Sequence, residues 1–339
     1  MKKLHKVGLS ALAGSLAFAS ANAVEYSVTG DAILNYSSSD ADYKIAEGST
    51  GTGLSTDMDM YFNASGELDN GFTVSFFQGV DTNSSWAVSS SQVTLGMGSL
   101  GTLQFNAVGG SKANGIDDVT PFAFDEAWGS STDRPDFFGA STASGSIDYR
   151  MPALEMSGMT INASVTYDPA ADEAQAGERA SNTSNNTGTA ATLQISSEYG
   201  IEIGGGIENV DGSGGAKTAV ATASDEESAT GYIKYANGPI TVGYQQSYQN
   251  TMNSGRDLSA EMMGIAYTAG DITVSYSEQT LTREATSDTV AVDSDIEAIQ
   301  IAYSMGAMTI SGSMAETSNS GGTAGQTHEE NEIAVSFAF

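Results

Sequence analysis

The 339-residue chain has no cysteine, few basic residues and no long apolar run after its first residues. Without cysteine, disulfide bonds, thiolate metal ligands and thiol redox chemistry are excluded. The apolar run from Val7 to Phe18 is too short, and too interrupted by serine, to be a transmembrane helix. The rest of the sequence shows no helical periodicity, so we expect an all-β protein.

Basic residues are scarce, because 12 Lys and Arg stand against 42 Asp and Glu. Three of the 12 lie within the first six positions, and Ala21-Asn22-Ala23 offers the small residues that a signal peptidase requires. We predict that residues 1–23 are a cleaved signal peptide and that residues 24–339 form the mature domain. Cleavage would change the net charge from −30 to −33, which argues against nucleic acid as a partner.

The chain contains about sixteen segments in which apolar and polar side chains alternate. In residues 24–36 the even positions are mostly apolar and the odd ones mostly polar, and the same period recurs in residues 159–167 and 333–339. A period of two gives a β-strand with one apolar and one polar face. This regularity, together with 14 Tyr and 12 Phe, argues against a disordered acidic chain.

The connections between these segments alternate in length. Short turns such as Asn237-Gly238 and Ala269-Gly270 alternate with longer polar loops. Short turns on one side and long loops on the other are typical of outer-membrane barrels, whose strands of about ten residues span ~25 Å of hydrocarbon. We therefore predict a transmembrane antiparallel β-barrel of about 16 strands, with short periplasmic turns, long extracellular loops and an aqueous channel.

Residues 93–103, residues 147–152 and the terminal Phe339 resemble the corresponding motifs of general Gram-negative outer-membrane porins. The resemblance implies a homotrimer in the outer membrane, surrounded by lipid and lipopolysaccharide, with the third long loop folded into the lumen. In that family a Gly-Arg pair commonly follows the Gly-Thr turn, and its arginine faces the pore constriction. The matching positions here are Asn106 and Ala107, so this positive charge is missing.

The longest connection, residues 110–143, is the main candidate for a functional site. It carries five aromatic residues, which predicts that it packs against the barrel rather than trailing in water. If it folds into the lumen, as the resemblance implies, its charged residues form the constriction; an ordinary acidic surface loop is the alternative. The predicted constriction residues are Asp117, Asp118, Asp125, Glu126, Asp133, Arg134, Asp136 and Arg150.

The alternation also assigns charged residues to the lumen wall. The predicted wall residues are Asp31, Asp57, Asp59, Asp148 and Lys234. Because carboxylates dominate, we expect passive diffusion of small hydrophilic solutes and ions with a preference for cations. Asp57 and Asp59 point the same way and could share Ca²⁺ or Mg²⁺, but they are more simply hydrated lumen residues, and no cofactor is expected.

Two other classes of protein remain open. An outer-membrane barrel hydrolase generally needs a base such as histidine, and the only histidine outside the predicted signal peptide is His328, in a loop. A secreted calcium-binding adhesin or surface-layer protein would explain the acidity but not the alternation of short turns and long loops. We therefore expect a porin and not an enzyme.

Overall fold

The computed structural model describes one antiparallel sheet that closes on itself, because its first strand pairs with both the second and the last. The described residues are 25–41, 51–83, 86–129, 131, 133–171, 186–211, 226–250, 257–284 and 292–339. Their strands are β1 (Glu25–Ala41), β2 (Gly51–Glu67), β3 (Thr73–Asp81), β4 (Ala87–Gly96), β5 (Thr102–Val108), β6 (Ser146–Arg150), β7 (Leu154–Met156), β8 (Met159–Asp168), β9 (Thr187–Ser197), β10 (Ile201–Asp211), β11 (Glu226–Asn237), β12 (Ile240–Asn250), β13 (Leu258–Ala269), β14 (Ile272–Arg283), β15 (Ser294–Met305), β16 (Met308–Ser318) and β17 (Thr327–Ala338). The predicted signal peptide lies outside the described residues.

The barrel is sixteen-stranded, because β6 and β7 are two segments of one interrupted strand. Both strands pair with β8, and they are separated by residues 151–153. Pro152 lies in this gap and has no N–H for the ladder, so the pairing is interrupted there. The predicted antiparallel barrel of about 16 strands is confirmed.

The first two strands are longer than the alternation of apolar residues predicts. The alternation predicts a first strand that ends at residue 36 and a second that begins at residue 55, whereas pairing between β1 and β2 continues to Ser39 and Gly51. The extension is made of small polar residues such as Ser38 and Thr52, whose hydroxyl oxygens lie 3.2 Å apart. Backbone pairing continues here without large apolar side chains. Because the prediction relied on alternating apolar residues, it could not include this extension.

Large apolar side chains cover the outside of the barrel. Leu34, Val165 and Ile299 are 49%, 53% and 63% exposed, and each points away from the lumen. On β15 the outward residues alternate with buried inward ones such as Gln300, as the period of two requires. No described helix is long and apolar enough to cross a membrane.

Tight turns join the strands at one end, which we call the short-turn end. Gly238, Gly270 and Gly306 occupy three of these turns with φ of 57°, 61° and 63°, a region that favours glycine. The long connections lie at the opposite, long-loop end. The chain closes beside the short-turn end, where Gly30 N–H donates to Phe339 O at 2.6 Å and Phe339 N–H donates to Gly30 O at 2.9 Å.

Leu34 and Asn35 are neighbours on β1 that point to opposite faces. Leu34→Arg places a charge against lipid and should cost about 2–4 kcal/mol if it lies near the bilayer midplane. Asn35→Arg should be tolerated, because Asn35 faces the lumen and donates to Glu332 Oε1 at 2.8 Å. Urea unfolding of both variants in phospholipid vesicles measures the difference. Equal stabilities would contradict the assignment of the two faces.

Candidate functional site

The connection between β5 and β6, residues 109–145, folds into the barrel and is called the inner loop. Gln245 on β12 fixes its first part. The amide Nε2 donates to Ile116 O at 2.9 Å and to Asp117 O at 2.8 Å, while Oε1 accepts from Val119 N–H at 2.9 Å. Gln245 is 0% exposed, so the loop covers this stretch of wall completely.

Gln300 on β15 fixes the next part of the inner loop in the same way. Its Oε1 accepts from Ala123 N–H at 3.1 Å and Phe124 N–H at 2.9 Å, and its Nε2 donates to Asp125 O at 2.6 Å. A glutamine amide both donates and accepts hydrogen bonds. One side chain can therefore satisfy several backbone groups of a loop segment whose backbone is not paired with a strand. Neither glutamine could be predicted as an anchor from the sequence, because polar inward residues are expected throughout a lumen.

Glycines on the wall make room for bulky residues of the inner loop. A Cβ at Gly206 on β10 would lie 2.7 Å from Phe138 Cζ, and Phe138 is 0% exposed. A Cβ at Gly243 would lie 2.9 Å from Pro121 Cδ, and one at Gly264 would lie 2.8 Å from Pro121 O. The aromatic residue and the proline therefore seat the loop directly on the sheet backbone.

Carboxylates of the wall hold both ends of the inner loop. Glu208 on β10 accepts from Gly139 N–H at 3.2 Å and from Thr142 Oγ1 at 2.8 Å. Asp148 on β6 accepts from Lys112 N–H at 2.9 Å and is 0% exposed. Asp148 was predicted as a lumen-wall residue; it points inward, but the loop buries it.

The structure places Asp133 away from the open lumen, although the sequence analysis assigned it to the constriction. Its side chain is 0% exposed and forms an ion pair with Arg283 on β14, with 2.6 Å between Oδ1 and Nη2. Burial alone would raise the pKa of Asp133, but hydrogen bonds from Gly321 N–H and the Arg283 guanidinium hold this pKa below its ordinary value. Asp133 is an anchor of the inner loop.

Two other acids of the inner loop, Asp117 and Glu126, have pKa values near neutrality. Burial raises the pKa of Asp117 to about 7. The neighbouring Asp125 carboxyl, together with burial, raises the pKa of Glu126 to about 7. Burial also raises the pKa of Asp118, which accepts from Gln279 Nε2 at 2.8 Å and so helps to hold the loop on β14. Asp125 itself is exposed.

Four of the five Lys and Arg residues that the structure describes form ion pairs. Arg134 pairs with Asp136 at 2.8 Å, within the inner loop. Two of the others pair with wall carboxylates, Arg150 with Asp148 at 3.0 Å and Lys234 with Glu202 at 3.5 Å, and Arg283 of the wall pairs with Asp133 of the inner loop. The positive charges predicted at the constriction and on the wall are therefore offset by adjacent carboxylates.

The open part of the lumen lies against β1 to β4. Inward residues of β15 from Ser294 to Ala302 are buried, whereas those of β2 from Ser55 to Ser65 are exposed or half-exposed. Asp31, Asp59 and Asp81 are register partners on β1, β2 and β3 and face this open lumen. Asp31 and Asp59 were predicted as wall residues, and Asp81 was not. All three line the side of the pore opposite the inner loop.

Tyr61 joins two of these carboxylates. Its hydroxyl lies 2.9 Å from Asp31 Oδ2 and 3.3 Å from Asp59 Oδ2. Asp57 is exposed two residues along β2. Within the described ranges, no group of three or more Asp, Glu, His or Cys is arranged to hold a metal ion. That Asp57 and Asp59 are hydrated lumen residues without a bound cofactor stays a prediction.

Gly243→Val tests whether the inner loop is seated on the wall. The added side chain would displace Pro121 and Thr120, whose atoms lie 2.9 and 3.2 Å from the Cβ position, and would push the loop into the open lumen. We expect a lower single-channel conductance in planar bilayers. Gly231→Val is the matched control, since a Cβ at Gly231 meets nothing within 4 Å. A conductance that is unchanged in Gly243→Val would contradict the seating.

Comparisons with known proteins agree with the barrel fold. A family model described as Gram-negative porin matches residues 8–339. Salmonella typhi OmpF in complex with daunomycin is similar in structure, with a TM-score of 0.68, 11% identity, and coverage of 93% of this chain and 97% of OmpF. An anion-selective porin from Comamonas acidovorans has a TM-score of 0.66 and 14% identity, covering 94% of this chain and 100% of that porin. A loop L8 deletion mutant of OmpT from Vibrio cholerae has a TM-score of 0.65 and 11% identity, with coverage of 94% and 100%.

A search of curated protein sequences finds no match. The family match nevertheless spans nearly the whole sequence, and the barrel has the architecture of the solved porins. The chain therefore belongs to the Gram-negative porin family and forms a channel in the outer membrane.

Proposed function

We propose that this porin passes small hydrophilic solutes by passive diffusion, prefers cations to anions and catalyses no reaction. The observation that carries the ion preference is the wall opposite the inner loop. Its inward charged residues are carboxylates, and the only basic residue in the sequence from position 24 to position 111 is Lys44. The porin fold itself does not decide the sign, since the Comamonas acidovorans neighbour is anion-selective.

The aspartates of this wall are close enough to act together on a passing ion. Asp31, Asp59 and Asp81 lie side by side on adjacent strands, where opposite Cβ atoms are about 5 Å apart. A cation ~6 Å from one carboxylate gains ~3 kcal/mol at an effective dielectric near 20. Asp125 on the inner loop adds negative charge near Glu332 on β17. An anion entering between these groups is repelled by each of them.

We further propose that the protein acts as a homotrimer in contact with lipid and lipopolysaccharide. Two regions of the outer surface differ in charge. The outward residues of β2 to β5 are uncharged and include Leu54, Phe76 and Phe105, which favours contact with another subunit. Toward the long-loop end, four consecutive strands carry outward glutamates in register. They are Glu278, Glu297, Glu316 and Glu329. This acidic margin suits the divalent-rich headgroup region of lipopolysaccharide.

Removing the wall carboxylates tests the ion preference. The triple variant Asp31→Asn, Asp57→Asn, Asp59→Asn should move the reversal potential in a salt gradient toward zero, because the field that attracts cations is weakened. Glu278→Gln, Glu297→Gln, Glu316→Gln removes equal charge from the outer face and should leave the reversal potential unchanged. A wild-type channel that prefers anions, or a triple wall variant with unchanged selectivity, would sink the proposal.

The ion preference should also depend on pH. Since Asp117 and Glu126 have pKa values of about 7, both are mostly ionised at pH 8 and mostly protonated at pH 6. The inner loop therefore loses negative charge as the pH falls, and the cation preference should decrease from pH 8 to pH 6. Reversal potentials at both pH values measure the change. In the double variant Asp117→Asn, Glu126→Gln the pH dependence should largely disappear, and its persistence would exclude these two groups as the cause.

A further inference from the structure

Three separate parts of the chain donate hydrogen bonds to the buried carboxylate of Asp133. Arg283 on β14 donates through Nη2 at 2.6 Å, and Ser294 on β15 donates through Oγ at 3.0 Å. The connection between β16 and β17 supplies Ser320 Oγ at 2.9 Å and Gly321 N–H at 2.9 and 3.1 Å. Asp133 thus ties the inner loop to two strand ends and to a loop of the long-loop end.

The turn at residues 319–322 is shaped for this contact. Asn319, Gly321 and Gly322 have φ of 52°, 67° and 69°, so the backbone bends sharply and directs the Gly321 N–H at the carboxylate. Ser294 strengthens the junction, because its Oγ lies 3.0 Å from Asn319 O and accepts from Gly322 N–H at 3.2 Å. Glycine accepts a positive φ readily, whereas the positive φ of Asn319 carries a steric cost that such contacts offset.

Asp133 lies where the inner loop turns back on itself. On one side of it, Trp128 packs near Ile296 on β15; on the other, Phe137 packs against Met262 and Leu281. The Arg134 guanidinium carbon lies 4.4 Å from the centre of the Trp128 ring, which links the two limbs. The limb that ends at Trp128 also carries Asp125 and Glu126, so the position of the corner decides how far these residues extend into the lumen.

We propose that Asp133, Arg283 and the turn at residues 319–322 form a latch that positions the inner loop and thereby sets the aperture of the pore. In this role Asp133 is a positioning residue and not a pore charge, because its carboxylate is 0% exposed and Arg283 offsets it. The role concerns the width of the pore, so it stands apart from the cation preference proposed above. It also makes the aperture depend on the connection between β16 and β17 at the long-loop end.

An ion pair is suited to this task because it fixes one geometry. A buried pair is weak evidence for stability, but removing one partner leaves the other buried and uncompensated, which is strongly unfavourable. Hydrogen bonds keep the pKa of Asp133 below its ordinary value, so the latch stays ionised over the range in which Asp117 and Glu126 titrate. Selectivity can therefore change with pH while the loop remains in place.

Asp133→Asn in the full-length protein tests the latch. In proteoliposome swelling, uptake of a trisaccharide relative to a pentose should rise several-fold, because the freed corner lets the loop edge move aside, and single-channel currents should become noisier. The reversal potential should stay near the wild-type value. Asp125→Asn is the matched comparison: this exposed acid of the same loop should shift the reversal potential and leave the uptake ratio unchanged.

A reversal potential that shifts in Asp133→Asn without a change in the uptake ratio would show that Asp133 is a pore charge and would overturn the latch. Unchanged values of both quantities would overturn it as well. If Asp133→Asn fails to assemble, Ser320→Ala is measured in the same assay, since it removes only one donor. A smaller rise in the uptake ratio then supports the latch, and an unchanged ratio refutes it.

Discussion

The rest of the structure depends on the requirement that backbone N–H and C=O groups facing lipid find partners within the protein. The sheet meets it by closing, with β1 and β17 in register from Asp31 and Ala338 to Ala41 and His328. A closed barrel of sixteen strands has an interior that is too wide for side chains to fill. The space inside the barrel must therefore be shared between water and a segment of the chain.

The inner loop obeys the same hydrogen-bond requirement, but its partners are side chains. It has no neighbouring strand, and Gln245, Gln300 and Glu208 of the wall pair its backbone groups. Gly206 and Gly243 let its bulky residues approach the sheet. The wall beneath the loop is thus specialised for packing and hydrogen bonding. The inward side chains of β1 to β3 face the open lumen instead and carry the charges that meet the solute.

The strands could be predicted from the sequence because their signals are local. Alternation of apolar residues, with Asn237-Gly238 or Ala269-Gly270 between segments, predicts strands over residues 239–249 and 258–268, and β12 and β13 lie within one residue of these bounds. The anchors could not be predicted. Asp125 and Asp133 are acids of one loop eight positions apart, and only contact with Arg283, 150 residues further along, separates the buried anchor from the exposed charge. Sequence spacing carries no signal for such a contact.

The same argument explains why net charge alone does not determine the ion preference of this pore. Of the acids that the structure describes, some form ion pairs with Arg150, Lys234 and Arg283, which offset their charge. Others, such as Glu208, are buried by the inner loop. These groups contribute little field to the lumen. The acids that remain beside the open water, on β1 to β3 and at Asp125, are few, but no adjacent basic residue of those strands offsets them. The proposed cation preference therefore rests on how the scarce basic residues are distributed: those that the structure describes mostly fix structure through ion pairs, and carboxylates are left to face the solute.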